Sequence, residues 1–232
     1  REDGTFCATL DQNEEICAKA LLVATGVQYR KLPLERREDF EGAGVFYAAT
    51  DMESRFCHKK PVAIIGGGNS AGQAAMYLSR TASHVHLLIR GDSLADSMSA
   101  YLRSRLEADE KISIHYGTKV ATLEGSDWLE AIELDTPDGA QRMECGGLFI
   151  MVGAAPNTEW LPDLVQLDPK GFVETGAAAD QASPFQTSVT GIFAVGDVRA
   201  GSVKRVASGV GEGSVVMSAI WSHVNRAEGQ AE

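Results

Sequence analysis

The chain has 232 residues, of which 44% are hydrophobic, so it can form one large or two modest cores. Its formal net charge of −11 argues against nucleic acid or an anionic membrane surface as a partner. No apolar run approaches the length that spans a bilayer and the N-terminus does not resemble a signal peptide, so we expect a cytoplasmic protein.

The four cysteines, Cys7, Cys17, Cys57 and Cys145, are widely spaced and contain no CxxC pair. We therefore expect reduced, structural thiols and no metal site. The sequence opens at Arg1 without a methionine and enters a strand pattern almost at once, which suggests that preceding residues have been removed.

The first elements in chain order are predicted as strands. Residues 5–10 and 15–25 predict two strands joined by the polar turn Asp11–Asn13. Residues 28–44 predict a connecting segment because they are rich in charges and contain proline. Residues 47–57 predict a short helix.

The most informative stretch is PVAIIGGGNSAGQAA at residues 61–75. Residues 62–65 have the length and branching of a buried parallel strand, residues 66–68 make a tight turn, and residues 69–78 predict a helix. A strand, glycine turn and helix in this order are typical of a dinucleotide-binding unit.

Five residues of this stretch are the candidates for holding a pyrophosphate. Gly66 permits the sharp turn, Gly68 leaves room for the pyrophosphate, and Ala71 lets the helix and strand pack closely. Asn69 and Ser70 begin the helix, whose free N–H groups and dipole would point at the phosphates.

The next predicted strand, residues 84–89, bears on the choice of nucleotide. It ends about 20 residues beyond the glycines, where NAD sites place an acidic residue for the ribose 2′-hydroxyl. Arg90 stands there instead and suits a 2′-phosphate, so NADPH is favoured over NADH, although Asp92 lies nearby. The alternative is that Arg90 is a solvated strand-end charge. His84 and His86 are interpreted as ordinary strand residues, because no metal-like set of ligands accompanies them.

Further elements complete a unit of about residues 44–153, which is the size of a small nucleotide-binding domain. In chain order they are a helix at 98–106, a strand at 112–117, an antiparallel meander over 120–143 and a strand at 148–152.

The last third of the chain contains a second candidate ligand-binding site, at the carboxyl end of a predicted strand. Residues 190–197 predict an apolar strand ending in Gly-Asp, and residues 206–224 predict a helix. Asp197 would lie in the crevice where open α/β sheets bind ligands, and its carboxylate can accept bonds from a polyol. The alternative is a turn or N-cap aspartate.

Taken in order, these motifs resemble the low-molecular-weight thioredoxin reductase family of FAD-dependent pyridine nucleotide-disulfide oxidoreductases. The matching segments are LVATG at 22–26, GGGNSAGQAAMYLS at 66–79, GLFIMVG at 147–153 with PNT at 156–158, GIFAVGD at 191–197, KRVA at 204–207 and GEG at 211–213.

The resemblance implies an α/β fold in which a Rossmann-like, three-layer NAD(P)H-binding domain is inserted into a partial FAD-binding domain of similar fold. The inserted domain would be residues 44–153, and residues 1–43 and 154–232 would form the flavin domain. Gly42–Gly44 and Gly153–Ala154 are the predicted hinges between them.

The resemblance also assigns binding roles and partners. The residues it places at the cofactors, besides the glycine turn and Arg90, are Thr25, Gly26, Gly153, Asp197, Lys204, Arg205, Val206 and Ala207. A homodimer is expected, with a protein or a small molecule as the redox acceptor.

Three departures from the family pattern limit this assignment. The N-terminal GxGxxG turn for the ADP half of FAD is absent, so we expect FAD binding to need a missing N-terminal segment. The family's CxxC dithiol, expected at residues 48–51 or one residue later, is also absent. The paired arginines for the 2′-phosphate are reduced to Arg90, with Arg103 or Arg105 as alternatives.

Cys57 is the cysteine nearest to the expected dithiol. It has no neighbour to resolve a mixed disulfide, which favours a buried residue at a helix end. A lone redox thiol is the alternative. The tract YAATDMESRFC resembles a subgroup often fused behind cyclic-nucleotide-binding or response-regulator domains, so a fused N-terminal regulatory domain is expected.

The resemblance thus implies an oxidoreductase in which NADPH delivers hydride to FAD and an unidentified acceptor takes the electrons. One alternative is a thioredoxin-disulfide reductase that uses Cys57 or a cysteine outside this chain. The other is a non-catalytic regulatory module that senses NADPH.

Overall fold

The computed structural model describes residues 4–10, 13–95, 97–161 and 163–229. Contacts divide the chain into two units, which we call the split unit (Arg1–Gln28 with Ala154–Glu232) and the inserted unit (Tyr29–Gly153). The predicted turn residues Asp11 and Gln12 lie outside the described residues. Within the described residues, no helix combines the length and apolar character needed to cross a membrane.

The strands and helices are numbered in chain order. The strands are β1 (Phe6–Thr9), β2 (Glu15–Ala18), β3 (Leu21–Val23), β4 (Val27–Tyr29), β5 (Val45–Phe46), β6 (Pro61–Ile65), β7 (His84–Leu88), β8 (Ile112–His115), β9 (Lys119–Gly125), β10 (Leu129–Thr136), β11 (Gly139–Glu144), β12 (Gly147–Ile150), β13 (Ala154–Pro156) and β14 (Ile192–Ala194). The helices are α1 (Asp51–Phe56), α2 (Asn69–Leu78), α3 (Ala100–Glu107) and α4 (Val206–Gly229).

A five-stranded parallel sheet forms the centre of the inserted unit, in the spatial order β5-β12-β6-β7-β8. Successive side chains on these strands point to opposite faces. Val62 and Ile64 pack with α2 and α3 on one face, whereas Ala63 and Leu88 pack under the antiparallel sheet β11-β10-β9 on the other. The unit therefore has three layers, and the predicted α/β fold class is confirmed.

Residues 29–43 pack in the inserted unit, whereas the sequence placed them in the flavin domain. Phe40 is fully buried in the same cluster as Val45, and Leu32 and Leu34 pack against that cluster. In the sequence these apolar residues stand among charged ones, which is why the pattern predicts a connecting segment here.

The split unit is built around β3 and β14, which lie parallel as neighbours. Val216 of α4 is fully buried against Phe193 and Val195 of the β14 segment. The helix begins at Val206, as the sequence predicts, whereas the strand is shorter than the predicted 190–197.

The predicted strand over residues 15–25 is two strands with different partners, because β2 pairs with β1 and β3 pairs with β14. In the antiparallel hairpin of β1 and β2, Cys7 lies directly opposite Cys17, and the two form a disulfide. The expectation that these two cysteines are reduced is therefore wrong. Directly opposed residues of such a hairpin have adjacent Cβ atoms. The two cysteines are 10 residues apart in the sequence, and this spacing alone does not indicate that they face each other.

Candidate functional site

The glycine turn connects β6 to α2 in the inserted unit. Gly66 has a φ of +144°, a backbone conformation that residues with side chains rarely adopt. A Cβ at Gly66 would collide with the carbonyl oxygen of Met151 and lie 3.2 Å from the Cβ of Ala71, which is fully buried. The absence of a side chain at Gly66 and the small one at Ala71 therefore allow β6, α2 and the end of β12 to approach closely.

The N-terminus of α2 is open to a ligand. Gly68 is its N-cap, no side chain of the described residues caps the helix, and its first turn contains no acidic residue. Asn69 and Ser70 are exposed. Among the described residues, only the carbonyl oxygen of Ser97, at 4.0 Å, would come near a Cβ at Gly68. The free N–H groups and the helix dipole make this end suitable for an anion.

Two hydrogen bonds hold the glycine turn against the segment that precedes α3. The hydroxyl of Ser97 donates to the carbonyl oxygen of Gly67 at 2.8 Å. The N–H of Ser99 donates to Oδ1 of Asn69 at 2.9 Å. Neither serine could be predicted from the sequence, because a serine in a polar loop has no distinguishing pattern.

The cations considered for a 2′-phosphate differ in their surroundings. Arg90 follows β7, is exposed, and has no side-chain partner within the part of the chain that the structure describes. Arg105 donates to the hydroxyl of Tyr101 at 3.3 Å and lies over the same ring. Arg103 has a buried Nε with no partner among the described residues. Arg105 is thus engaged on its own helix, whereas Arg90 is available to a ligand.

The predicted hinge glycines adopt left-handed backbone conformations. The φ values are +81° at Gly42, +118° at Gly44 and +92° at Gly153. Gly153 is exposed, and its carbonyl oxygen accepts a hydrogen bond from the N–H of Arg30 at 3.1 Å. A Cβ at Gly44 would collide with that of Leu129, so this glycine is also required by packing. A hinge function for these residues stays a prediction.

In the split unit, Thr25 and Gly26 follow the carboxyl end of β3 and are fixed by Asn157. The hydroxyl of Thr25 donates to the carbonyl oxygen of Asn157 at 2.9 Å, and the Asn157 side-chain amide donates to the carbonyl oxygen of Thr25 at 2.7 Å. The N–H of Asn157 bonds the carbonyl oxygen of Gly26 at 3.1 Å. Because β3 and β14 are parallel, Asp197 follows β14 at the same edge of the sheet.

Asp197 lies in a 3-10 turn, Gly196–Val198, that Glu212 of α4 holds in place. The N–H of Gly196 donates to Glu212 Oε2 at 2.6 Å, and Arg199 Nη2 donates to Glu212 Oε1 at 2.6 Å. The side chains of Arg199 and Glu212 are only 19% and 14% exposed. Burial disfavours the charged Glu212 carboxylate, but these hydrogen bonds outweigh burial and hold its pKa below the usual range.

The predicted flavin segment 204–207 has two parts. Lys204 Nζ lies 4.4 Å from the centroid of the Phe172 ring and donates to the carbonyl oxygen of Asp197 at 3.4 Å. Residues 205–207 are exposed at the start of α4. The structure therefore brings Lys204 to Asp197 and leaves the other three side chains open to solvent.

Cys57 is the C-cap residue of α1 and is 1% exposed. Its Sγ lies 3.6 Å from the carbonyl oxygen of Gly146. Burial raises the pKa of the Cys57 thiol to about 11, although the charge of Lys60 opposes this shift. The thiol is therefore protonated at neutral pH and shielded from solvent.

No pattern in the sequence marks Arg199 or Glu212 as residues that support the Asp197 turn. Glu212 stands in a glycine-interrupted helix start, and Arg199 stands in a loop 13 residues earlier. Their pairing becomes visible only when α4 packs on the strands.

Comparison with known proteins identifies the family. The model of the family described as "Pyridine nucleotide-disulphide oxidoreductase" matches residues 2–213. A thioredoxin reductase from Streptomyces clavuligerus is 36% identical over 198 residues, covering 84% of this chain and 59% of that protein. The NADPH-dependent thioredoxin reductase 3 of Arabidopsis thaliana is 31% identical over 202 residues, covering 84% of this chain and 37% of that protein. The chain thus spans about three fifths or less of these curated relatives.

Solved structures have the same fold. The thioredoxin reductase of Streptococcus pyogenes matches 96% of this chain and 70% of its own, with a TM-score of 0.79 and 28% identity. That of Giardia duodenalis matches 93% and 69%, with a TM-score of 0.79 and 25% identity.

The family match extends from before the hairpin to the glycines of α4, so it includes both the glycine turn and the Asp197 edge. The resemblance drawn from the motifs is confirmed. The chain belongs to the pyridine nucleotide-disulphide oxidoreductase family and is similar to its thioredoxin reductases.

Proposed function

We propose that this chain is part of an NADPH-dependent flavin oxidoreductase that passes electrons to a redox acceptor. The observation that carries the proposal is the open glycine turn before α2, with the exposed Arg90, which has no side-chain partner among the described residues, just beyond the neighbouring strand β7. Relatives named as thioredoxin reductases, one of them as NADPH-dependent, support the same assignment.

The inserted unit fits a dinucleotide diphosphate. A Cβ at Gly66 would collide with the carbonyl oxygen of Met151, whereas Gly68 leaves the N-terminus of α2 accessible. The N–H groups at Asn69, Ser70 and Ala71 would hold the pyrophosphate, since nothing in the described first turn of α2 repels an anion. Arg90 would bind the 2′-phosphate through charge-assisted hydrogen bonds.

The carboxyl edge of β3 and β14 fits the ribityl and ring portions of FAD. Asp197 would accept hydrogen bonds from ribityl hydroxyls, while Thr25 and Gly26 would present backbone groups beside it. Glu212 occupies the N–H of Gly196 and thereby fixes the direction of the Asp197 turn. Held at these two sites, NADPH would supply a hydride and FAD would supply the redox group that carries its electrons to the acceptor.

The acceptor is proposed to take its electrons without help from Cys57. Disulfide exchange needs an accessible thiolate, and Cys57 is buried with a pKa raised by burial to about 11. Thioredoxin reduction would therefore use a cysteine outside this chain. The homodimer and the fused regulatory domain stay predictions.

The nucleotide assignment is tested by titrating the protein with NADPH and NADH. Arg90→Ala should weaken NADPH binding about 10-fold to 100-fold, the effect of losing one hydrogen bond between charged groups, and leave NADH binding unchanged. Arg80→Ala is the matched control, because Arg80 is an exposed arginine of the same unit just beyond α2. Equal losses for both nucleotides, or no loss, would contradict the role of Arg90.

The flavin assignment is tested by absorbance of the purified full-length protein. Flavin absorbance that bleaches on anaerobic addition of NADPH supports the oxidoreductase, whereas NADPH binding without flavin favours the sensing module. Asp197→Ala should lower the flavin content. Glu159→Gln, which removes an exposed carboxylate of the split unit, should leave it unchanged.

A further inference from the structure

Three histidines lie on one face of the parallel sheet, at the edge formed by β7 and β8. Val85, Leu87 and Ile112 pack in the core on the α2 and α3 side. By the alternation of side chains along a strand, His84 and His86 point to the opposite face. On the edge strand β8, His115 and Ser113 occupy the same face, and His86 is paired with Ser113 in the register.

The rings of these histidines are in contact. His86 Nδ1 and His115 Nε2 are 3.0 Å apart, and their ring centroids are separated by 5.2 Å. The His84 ring lies 4.7 Å from that of His86, and its Nε2 is 2.8 Å from the hydroxyl of Ser113. The bond to Ser113 orients the His84 ring and leaves its Nδ1 without a partner among the described residues. The sequence offered no metal-like companion for His84 and His86, but the fold brings His115 beside them.

We propose that His84, His86 and His115 form a binding site for a divalent transition metal ion, with His86 Nδ1 and His115 Nε2 as its first two ligands and His84 as the third.

The distance between the first two nitrogens supports this assignment. Imidazole nitrogens bind zinc at about 2.0–2.1 Å, so two tetrahedral ligands stand about 3.3–3.4 Å apart. The observed 3.0 Å is a hydrogen bond, so its proton would move to the other nitrogen of the donating ring, and the rings of His86 and His115 would part by about 0.3–0.4 Å to admit the ion. Neither nitrogen of His84 lies within 4.8 Å of both of these ligand atoms, so His84 would complete the set by a rotation of its ring toward the ion, with water in the fourth position.

The surroundings also suit a metal of this class. All three histidines are half-buried, so an ion can enter from solvent. Imidazole is a ligand type preferred by Zn²⁺, Cu²⁺ and Ni²⁺ over Mg²⁺ and Ca²⁺. Burial and the neighbouring imidazoles lower the pKa of His86 to about 4, so its ring is uncharged at neutral pH.

The test is a calorimetric titration of the full-length protein with Zn²⁺ alone, without reductant, so that the disulfide of Cys7 and Cys17 stays intact. The wild type should bind one Zn²⁺ per chain. His86→Gln and His115→Gln should each weaken binding at least about 100-fold, and His84→Gln about 10-fold.

His58→Gln is the matched control, because His58 is an exposed histidine of the same unit. Its Zn²⁺ affinity should equal that of the wild type, and a denaturant melt of each variant confirms that it folds. No binding by the wild type, or equal affinity in folded His86→Gln and His115→Gln, would overturn the proposal. Loss of binding in Cys7→Ser with retention in His86→Gln would also overturn it, because Glu15 and the two hairpin sulfurs offer three ligand atoms within 4.8 Å of one another and are the alternative site.

Discussion

The substitutions Gly66→Ala and Gly68→Ala should distinguish the contribution of the glycine turn to stability from its contribution to nucleotide binding. At Gly66, alanine would have to hold a φ of +144°, which costs about 1–3 kcal/mol. Its Cβ would also meet the Met151 carbonyl group, whose carbon would lie at 3.0 Å, and overpacking of this kind costs about 1–3 kcal/mol. Because a backbone carbonyl at the end of β12 cannot rotate away like a side chain, we expect a loss of about 3–5 kcal/mol in the free energy of unfolding.

Gly68→Ala changes the same chemical group two residues later. Gly68 has a φ of −89° and a ψ of 173°, which alanine adopts without strain, and its nearest contact would be at 4.0 Å. Alanine is a poorer N-cap than glycine, so the expected loss is within about 1 kcal/mol. If the pyrophosphate approaches this backbone as proposed, NADPH affinity should nevertheless fall at least about tenfold.

Denaturant unfolding followed by the fluorescence of Trp128 measures these changes in the inserted unit. Trp128 is partly buried there, whereas Trp160 and Trp221 are exposed residues of the split unit and can be replaced by phenylalanine in a common background. A Gly66→Ala protein as stable as the background, or a Gly68→Ala protein destabilised to the same extent as Gly66→Ala, would refute the reasoning.

Other predictions concern the split unit and the thiols. Arg199→Ala should lower the free energy of unfolding by about 3 kcal/mol, measured by urea melts, because it leaves the shielded Glu212 carboxylate unpaired. The folded-state pKa of Glu212 is below its unfolded value, so its stabilisation is present above about pH 4.5 and is lost as the pH falls through the folded pKa. In Glu212→Gln the midpoint of urea unfolding should therefore depend less on pH over that acid range. An unchanged dependence of the midpoint on pH would contradict this. Replacing Cys7 and Cys17 by serine should lower the free energy of unfolding by about 2–3 kcal/mol, because the disulfide no longer restricts the unfolded chain. Thiol titration of the denatured, unreduced wild type should find two free thiols rather than four. Native Cys57 should resist iodoacetamide at neutral pH, and rapid alkylation would contradict its burial as a protonated thiol.

The sequence predicted what depends on local pattern. The strand, glycine turn and helix over residues 62–78 were found because each has a periodicity or a composition of its own. The disulfide of Cys7 and Cys17 was missed because it depends on hairpin register, which no spacing rule fixes. The pairing of His86 with His115 depends on which strand lies at the edge of the sheet, so it also required the fold.

The hydrogen bonds from Ser97 and Ser99 have a consequence for the thermodynamics of binding. They fix Gly67 and Asn69, on both sides of the residue nearest the proposed pyrophosphate, through groups of the chain itself. A loop that is ordered before its ligand arrives does not lose conformational entropy on binding. Preorganisation of this kind lets a short backbone segment with no charged side chain of its own bind a diphosphate, because little of the interaction energy is needed to order the segment.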